Sequence, residues 1–142
     1  MNGKKKAEVI LVVDDEDLVR MTLSVLISSL GYHCLGASDG IEAMQILKAT
    51  EIDLVFSDIA MPNMDGMELL KYIVENHKGT DAIMATGYSE KATYADVIRA
   101  GALDFIKKPI DPAELEAKLT RAFRERSLVR RLEQMSLVDS LT

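Results

Sequence analysis

The sequence predicts a doubly wound α/β domain with a five-stranded parallel sheet. Strand-like and helix-like patterns alternate five times along the chain, which is the signature of helices covering both faces of a parallel sheet. The strand-like runs are short, and the first, Val9 to Val13, is apolar throughout, as a strand buried on both faces is. Residues that cap or end helices fall at the joints between the two patterns.

Val9-Ile10-Leu11-Val12-Val13 is a continuous apolar run rich in β-branched residues and is the first strand. A helix is expected from about Asp17 to Leu30, with Leu18, Met21, Val25 and Leu26 at helical spacing. Gly31 ends it, as a residue able to adopt positive φ should. A second strand, His33 to Ala37, leads to a helix opening at Asp39, where Asp39 and Glu42 have capping-box spacing. Leu54-Val55-Phe56-Ser57 is the third strand, closed by Asp58. The loop Met61 to Gly66 precedes a helix through Leu69, Leu70 and Ile73. Ala82 to Ala85 is the fourth strand, followed by Thr86 and a helix from about Ser89 to Ala100, ended by Gly101. The fifth strand runs from about Asp104 to Lys107. Asp111 as N-cap and Pro112 at the first helical position open the last helix.

That last helix is expected to continue to about Leu137, since no glycine or second proline interrupts it. Leu115, Leu119, Ala122, Arg126 and Val129 follow a 4-3-4-3 spacing, and Leu128, Leu132 and Met135 form an offset set. A globular helix averages about 11–12 residues, so much of this one should protrude. It suits a short parallel coiled coil with a second copy. The expected organisation is an N-terminal tail (1–7), a domain (8–120) and a helical extension (121–142).

Composition narrows the function. The chain has 142 residues, enough for one domain with a sizeable core. Its net charge of −6 argues against direct nucleic-acid binding, which rewards basic surfaces. Lys4-Lys5-Lys6 reads as a solvated tail. The single Cys34 has no internal partner for a disulfide and is expected in the core. No apolar stretch approaches the roughly 18 residues that span a bilayer, and no signal peptide is visible. A cytoplasmic protein with no membrane partner is the expectation.

In open parallel sheets, ligands bind at the carboxyl ends of strands where the strand order reverses. With the order 2-1-3-4-5 that point lies between strands one and three, whose ends carry Asp14, Asp15 and Asp58. Unit charges about 4 Å apart repel by roughly 4 kcal/mol at an effective dielectric near 20. Such a cluster calls for a cation or a proton. Hard oxygen ligands suit Mg²⁺. The ends of strands four and five add the Thr86 hydroxyl and the Lys108 ammonium. Together these groups suit metal-assisted phosphoryl chemistry. Asp58 would be the nucleophile, Lys108 would neutralise charge, and Thr86 would hydrogen-bond a phosphoryl oxygen. Taken alone, the run Asp14 to Asp17 also reads as acids favoured at a helix N-terminus.

With these residues in place, the sequence resembles the response-regulator receiver family of two-component systems. The matching segments are Val12-Val13-Asp14-Asp15, Ser57 to Gly66, Thr86-Gly87, Ala100-Gly101-Ala102 and Lys107-Lys108-Pro109, across about Glu8 to Thr120. The resemblance implies a flavodoxin-like fold and Asp58 as phosphoacceptor. It implies Asp15, Asp58 and the backbone carbonyl of Ala60 as Mg²⁺ ligands, with Asp14 reaching the metal largely through water. Thr86 and Phe105 would be switch residues, and Lys108, preceding Pro109 by a cis peptide, the family's lysine; Lys107 would be its solvated neighbour. Ala60 and Tyr88 stand where the family tunes hydrolysis of the phosphoryl group, which implies a phosphorylated state that is not unusually short-lived.

The implied donor is a sensor histidine kinase or phosphotransfer protein. The implied assembly is a homodimer through helix four, strand five and helix five. The chain would be a signalling switch, without turnover on an outside substrate. Val138-Asp139-Ser140-Leu141-Thr142 resembles the opening of a diguanylate cyclase (GGDEF-type) domain, which implies a receiver excised from a receiver–cyclase protein. Two other readings fit parts of the pattern. A haloacid-dehalogenase-type phosphatase would use Asp15 and Asp17 as an Asp-x-Asp motif. A non-phosphorylated dimerisation module would not need the complete acceptor set.

Overall fold

The computed structural model describes residues 7–87 and 92–141, the last five of these as backbone only. Five strands alternate with five helices: β1 (Val9–Val13), α1 (Asp17–Ser29), β2 (His33–Ala37), α2 (Gly40–Ala49), β3 (Leu54–Asp58), α3 (Gly66–Asn76), β4 (Asp81–Thr86), α4 (Tyr94–Arg99), β5 (Asp104–Lys107) and α5 (Pro112–Leu141). The sheet is all parallel with order β2-β1-β3-β4-β5. The predicted doubly wound, flavodoxin-like architecture is the observed one.

Burial explains why β1 reads as an unbroken apolar run. Ile10, Leu11 and Val12 are fully buried, although successive side chains point to opposite faces of the sheet. Leu11, Val13, Val55 and Met84 form one core with Ala43 and Leu47 of α2 and Leu69, Leu70 and Ile73 of α3. The opposite face meets α1. Gly36 pairs with Val12 in register, and a Cβ at Gly36 would stand 3.3 Å from the Arg20 side chain.

Helix ends follow their capping residues. Asp65 and Glu68 form a full capping box on α3. On α2 only half of the expected box forms. Asp39 accepts from the Glu42 amide (2.8 Å), but the Glu42 carboxylate takes the Ser38 amide (2.6 Å) instead of that of Asp39. Gly31 (φ 101°) and Gly101 (φ 112°) follow α1 and α4 in the left-handed region, as their positions predicted.

Two readings need correction. Leu18, Met21 and Val25 are 76%, 64% and 66% exposed, and the inward face of α1 is Leu23 and Ile27. The helix carries two apolar stripes, and periodicity alone chose the outer one. The described part of α4 begins at Tyr94 and not near Ser89, because Thr93 and Asp96 cap it reciprocally there. Residues 88–91, including Tyr88 and the expected helix start, lie outside the described residues, as does Lys4-Lys5-Lys6. Cys34 is half-buried; burial raises its thiol pKa while a hydrogen bond with Ser24 pulls the other way.

The chain divides into one compact unit ending at Ile110 and another beginning at Asp111. In the second, Asp111 accepts from the Ala113 amide (3.2 Å) at the start of α5. The helix has 30 residues, about 45 Å at 1.5 Å per residue. Leu115, Leu119 and Ala122 are buried, whereas Leu128, Val129, Leu132 and Met135 are more than half exposed. Among the described residues no helix is long and apolar enough to cross a membrane.

Candidate functional site

Parallel pairing of β1 with β3 puts their carboxyl ends side by side, with Val13 opposite Ser57. The next residues of each strand end are therefore the three predicted acids. Carboxylate oxygens of Asp14, Asp15 and Asp58 lie within 4.8 Å of one another. Asp14 and Asp58 are 3% and 5% exposed, while Asp15 is open to solvent. Asp14 is oriented by the backbone: its Oδ1 accepts from the Glu16 amide (2.9 Å) and its carbonyl accepts from Arg20 Nη1 (2.7 Å). Asp17 does not join the cluster. Its exposed carboxylate pairs with Arg20 at 2.6 Å, which removes the second acid of the Asp-x-Asp alternative.

Lys108 reaches into this crevice from the loop after β5. Its Nζ donates to Asp58 Oδ2 at 2.6 Å and stands 3.8 Å from Asp14 Oδ2. Burial pulls its pKa down, but the hydrogen bond to Asp58 and the charges of Asp58, Asp14 and Glu16 outweigh that effect, so it stands above the ordinary lysine value. The Lys108-Pro109 peptide is cis, as the resemblance implied. Lys107 points to solvent.

Thr86 is buried at the end of β4, one residue past the register partner of Asp58, and its carbonyl accepts from the Lys108 amide (2.7 Å). Phe105 is half-buried on β5, its ring edge-on to Tyr94 at 5.1 Å between centroids. Thr86, Gly87, Tyr94, Phe105 and Lys108 line a cavity of about 360 Å³. Ala60 follows β3 in the loop toward α3 and is exposed.

Three carboxylates thus face one ammonium. Two buried carboxylates taken out of water are costly unless compensated, and one lysine leaves an excess of negative charge. An all-oxygen donor set of this size and charge fits a hard divalent cation such as Mg²⁺. The same crevice also offers a nucleophilic carboxylate beside a cation and a buried hydroxyl.

Sequence reasoning missed Arg20 and Glu16 as the groups that fix Asp14. The i,i+3 spacing of Asp17 and Arg20 was the available signal. It also missed Tyr94 beside Phe105, which depends on where α4 begins.

A family model described as the response regulator receiver domain matches residues 10–120. The chain belongs to this family. It is 34% identical over 113 residues to the chemotaxis protein CheY of Thermotoga maritima, covering 79% of this chain and 94% of that protein. It is 35% identical over 126 residues to the regulatory protein AtoC of Escherichia coli, covering 89% of this chain and 27% of AtoC. The chain thus spans about a quarter of AtoC and about half of the similar ycf27 transcriptional regulators. Among solved structures, a response regulator receiver domain protein from Clostridium thermocellum superposes with a TM-score of 0.80 at 27% identity, covering 86% of this chain and 98% of that one. The signal receiver domain of an HD domain-containing protein from Pseudomonas fluorescens gives 0.80 at 32% identity, with the same coverage.

Proposed function

We propose that this receiver is a phosphorylation switch in which Asp58 accepts a phosphoryl group from a phosphohistidine on a sensor kinase or phosphotransfer protein. The observation that carries the reading is the place of Asp58: buried at the switch point of the sheet, beside Asp14 and Asp15 and 2.6 Å from Lys108. In the transfer, a carboxylate oxygen of Asp58 forms the new P–O bond as the P–N bond to the donor imidazole breaks, and the imidazole takes up a proton.

Asp15, Asp58 and the Ala60 carbonyl would hold Mg²⁺, with Asp14 contributing through water. When bound, Mg²⁺ supplies neutralisation of charge on the transferring oxygens. Lys108 leaves its pairing with the free carboxylate and binds the phosphoryl group. Thr86 donates its hydroxyl to a phosphoryl oxygen, and Phe105 moves with it. Ala60 offers no side chain to orient an attacking water, which supports a phosphorylated state that is not unusually short-lived.

The exposed stripe Leu18, Met21 and Val25 supports a docking face for the donor. It borders a cavity of about 390 Å³ lined by Leu18, Val19, Leu23, Lys108 and Pro109, so an apolar helix seated there lies beside the acceptor. The exposed Leu128, Val129, Leu132 and Met135 support self-association through α5. The resemblance of residues 138–142 supports a diguanylate cyclase as the controlled output, and the family match over residues 10–120 supports a receiver over residues 8–120.

Intact-mass spectrometry after incubation with acetyl phosphate tests the switch. Wild type should gain one phosphoryl group only with Mg²⁺, and Asp58→Asn should gain none. Failure of wild type to gain mass from either acetyl phosphate or a phosphohistidine donor would leave a scaffold without switch chemistry. Sustained turnover of p-nitrophenyl phosphate would indicate a phosphatase instead.

A further inference from the structure

The loop from β3 to α3 carries Ala60, and it is held from the start of α2, which contributes no group to the acidic cluster. Asn63 has φ +69°, the left-handed region, and is the non-glycine residue so placed among the described residues. Asparagine tolerates this conformation better than most residues, at some cost. Its side chain is engaged: Nδ2 donates to Asp39 Oδ2 at 3.0 Å, across 24 positions of sequence. Asp39 is fixed in turn, because its Oδ1 accepts from the Glu42 amide in the first turn of α2. The two interactions use different oxygens of one carboxylate.

The neighbouring residue leaves no slack. A Cβ at Gly40 would lie 2.8 Å from Met64 Cβ and 2.9 Å from the Met64 carbonyl oxygen. At the far end of the loop, the Gly66 amide donates to the Ile59 carbonyl at 2.7 Å, and a Cβ at Gly66 would come within 2.7 Å of Ile59 Cα. The segment between Ile59 and Gly66 is therefore pinned at its closing end by Gly66 and at its tip by Asp39.

We propose that Asp39 is a positioning residue for the phosphorylation site: through Asn63 it fixes the β3–α3 loop, and so the direction of the Ala60 carbonyl, without touching the metal or the phosphoryl group. The proposal rests on the reading of Asp58 and Ala60 given above. It assigns to the start of α2 a part in setting Mg²⁺ affinity.

The test uses the full chain with Asp39→Ser, Asn63→Gly and the double variant. Asp39→Ser keeps an acceptor for the Glu42 amide, so the helix cap survives while the second oxygen is lost. Asn63→Gly keeps the left-handed backbone and removes only the amide. Two quantities are read: hydrogen exchange of the Met64 and Gly66 amides in metal-free protein, and the Mg²⁺ dissociation constant by calorimetry. Each single variant should speed exchange of both amides and raise the dissociation constant roughly tenfold, the lower end of what losing an outer orienting group costs. The double variant should be no worse than either single one, since both cut the same link. Asp39→Asn, which pairs with Asn63 after an amide flip, should restore most of the affinity.

Unchanged exchange and affinity in Asp39→Ser, with wild type binding Mg²⁺ normally, would overturn the positioning role alone, as would additive effects in the double variant. Wild type that binds no Mg²⁺ would instead overturn the site reading and this proposal with it.

Discussion

The carboxyl edge of β1 and β3 and the distal half of α5 break the same rule in opposite directions. At the sheet edge, carboxylates that belong in water are buried: Asp14 and Asp58 are almost fully covered. Along α5, side chains that belong in a core face solvent: Leu132 and Met135 are 64% and 62% exposed. Apart from the exposed stripe on α1, the described residues follow the rule, with β1, β3 and β4 buried and α3 and α4 fully capped. Local violations of an otherwise consistent pattern are where function is expected. They also differ in what they call for. Buried acids need a cation and a group to react with, whereas an exposed apolar stripe needs another protein surface. The first is chemistry within one chain, and the second is assembly.

Predictions sharpen that contrast. The largest effect is at the edge: Asp58→Asn should abolish phosphoryl uptake, scored by acid-labile phosphate on the protein, with no change in self-association of the unphosphorylated chain. Chelating Mg²⁺ should slow uptake from acetyl phosphate by on the order of a hundredfold or more, the scale of a Lewis-acid contribution of several kcal/mol.

Lys108→Ala should act in two directions. Removing an ammonium 2.6 Å from Asp58 takes away a competitor for the same carboxylate, so Mg²⁺ should bind more tightly by calorimetry. Uptake should nevertheless fall by roughly a hundredfold, because a charge-stabilising donor is gone. The pH dependence has a definite sign. The folded pKa of Lys108 is raised, so its stabilising contribution is fully present below the unfolded value near 10.4 and is lost as pH rises through the folded value. The stability gap between wild type and Lys108→Met, read from urea unfolding, should be level through neutral pH and close as the lysine loses its proton in strong alkali. A gap that persists unchanged in strong alkali would refute the pairing.

The smallest effect belongs to α5. Leu128→Glu with Leu132→Glu should shift light scattering toward monomer and leave the rate of phosphoryl uptake within about twofold, as expected of substitutions at exposed positions that contribute no group to the acidic cluster. Loss of uptake in this variant would mean that the two regions are not separable as described.

Much of this was legible in the sequence because the signals are local. Strand limits followed from apolar runs, and Asp14, Asp15, Asp58, Thr86 and Lys108 followed from their places at strand ends. What was not legible was mostly non-local or degenerate. The spacing of Leu18, Met21 and Val25 is as helical as that of Leu23 and Ile27, and only packing against β1 and β2 decides which stripe turns inward. The start of the described α4 depended on the reciprocal Thr93–Asp96 cap. The capping role of Asp39 could be read three residues away, but its bond to Asn63 spans 24 residues and required the fold.

The central claim is that the side chain of Asp58 carries the phosphoryl group. Hydride reduction of the acetyl phosphate-treated protein converts an aspartyl phosphate to homoserine, and peptide mass spectrometry locates it. The account predicts homoserine at position 58 and nowhere else, formed only when Mg²⁺ was present. Homoserine at position 14 or 15, or a phosphoryl group that resists reduction on Thr86 or another hydroxyl, would contradict it.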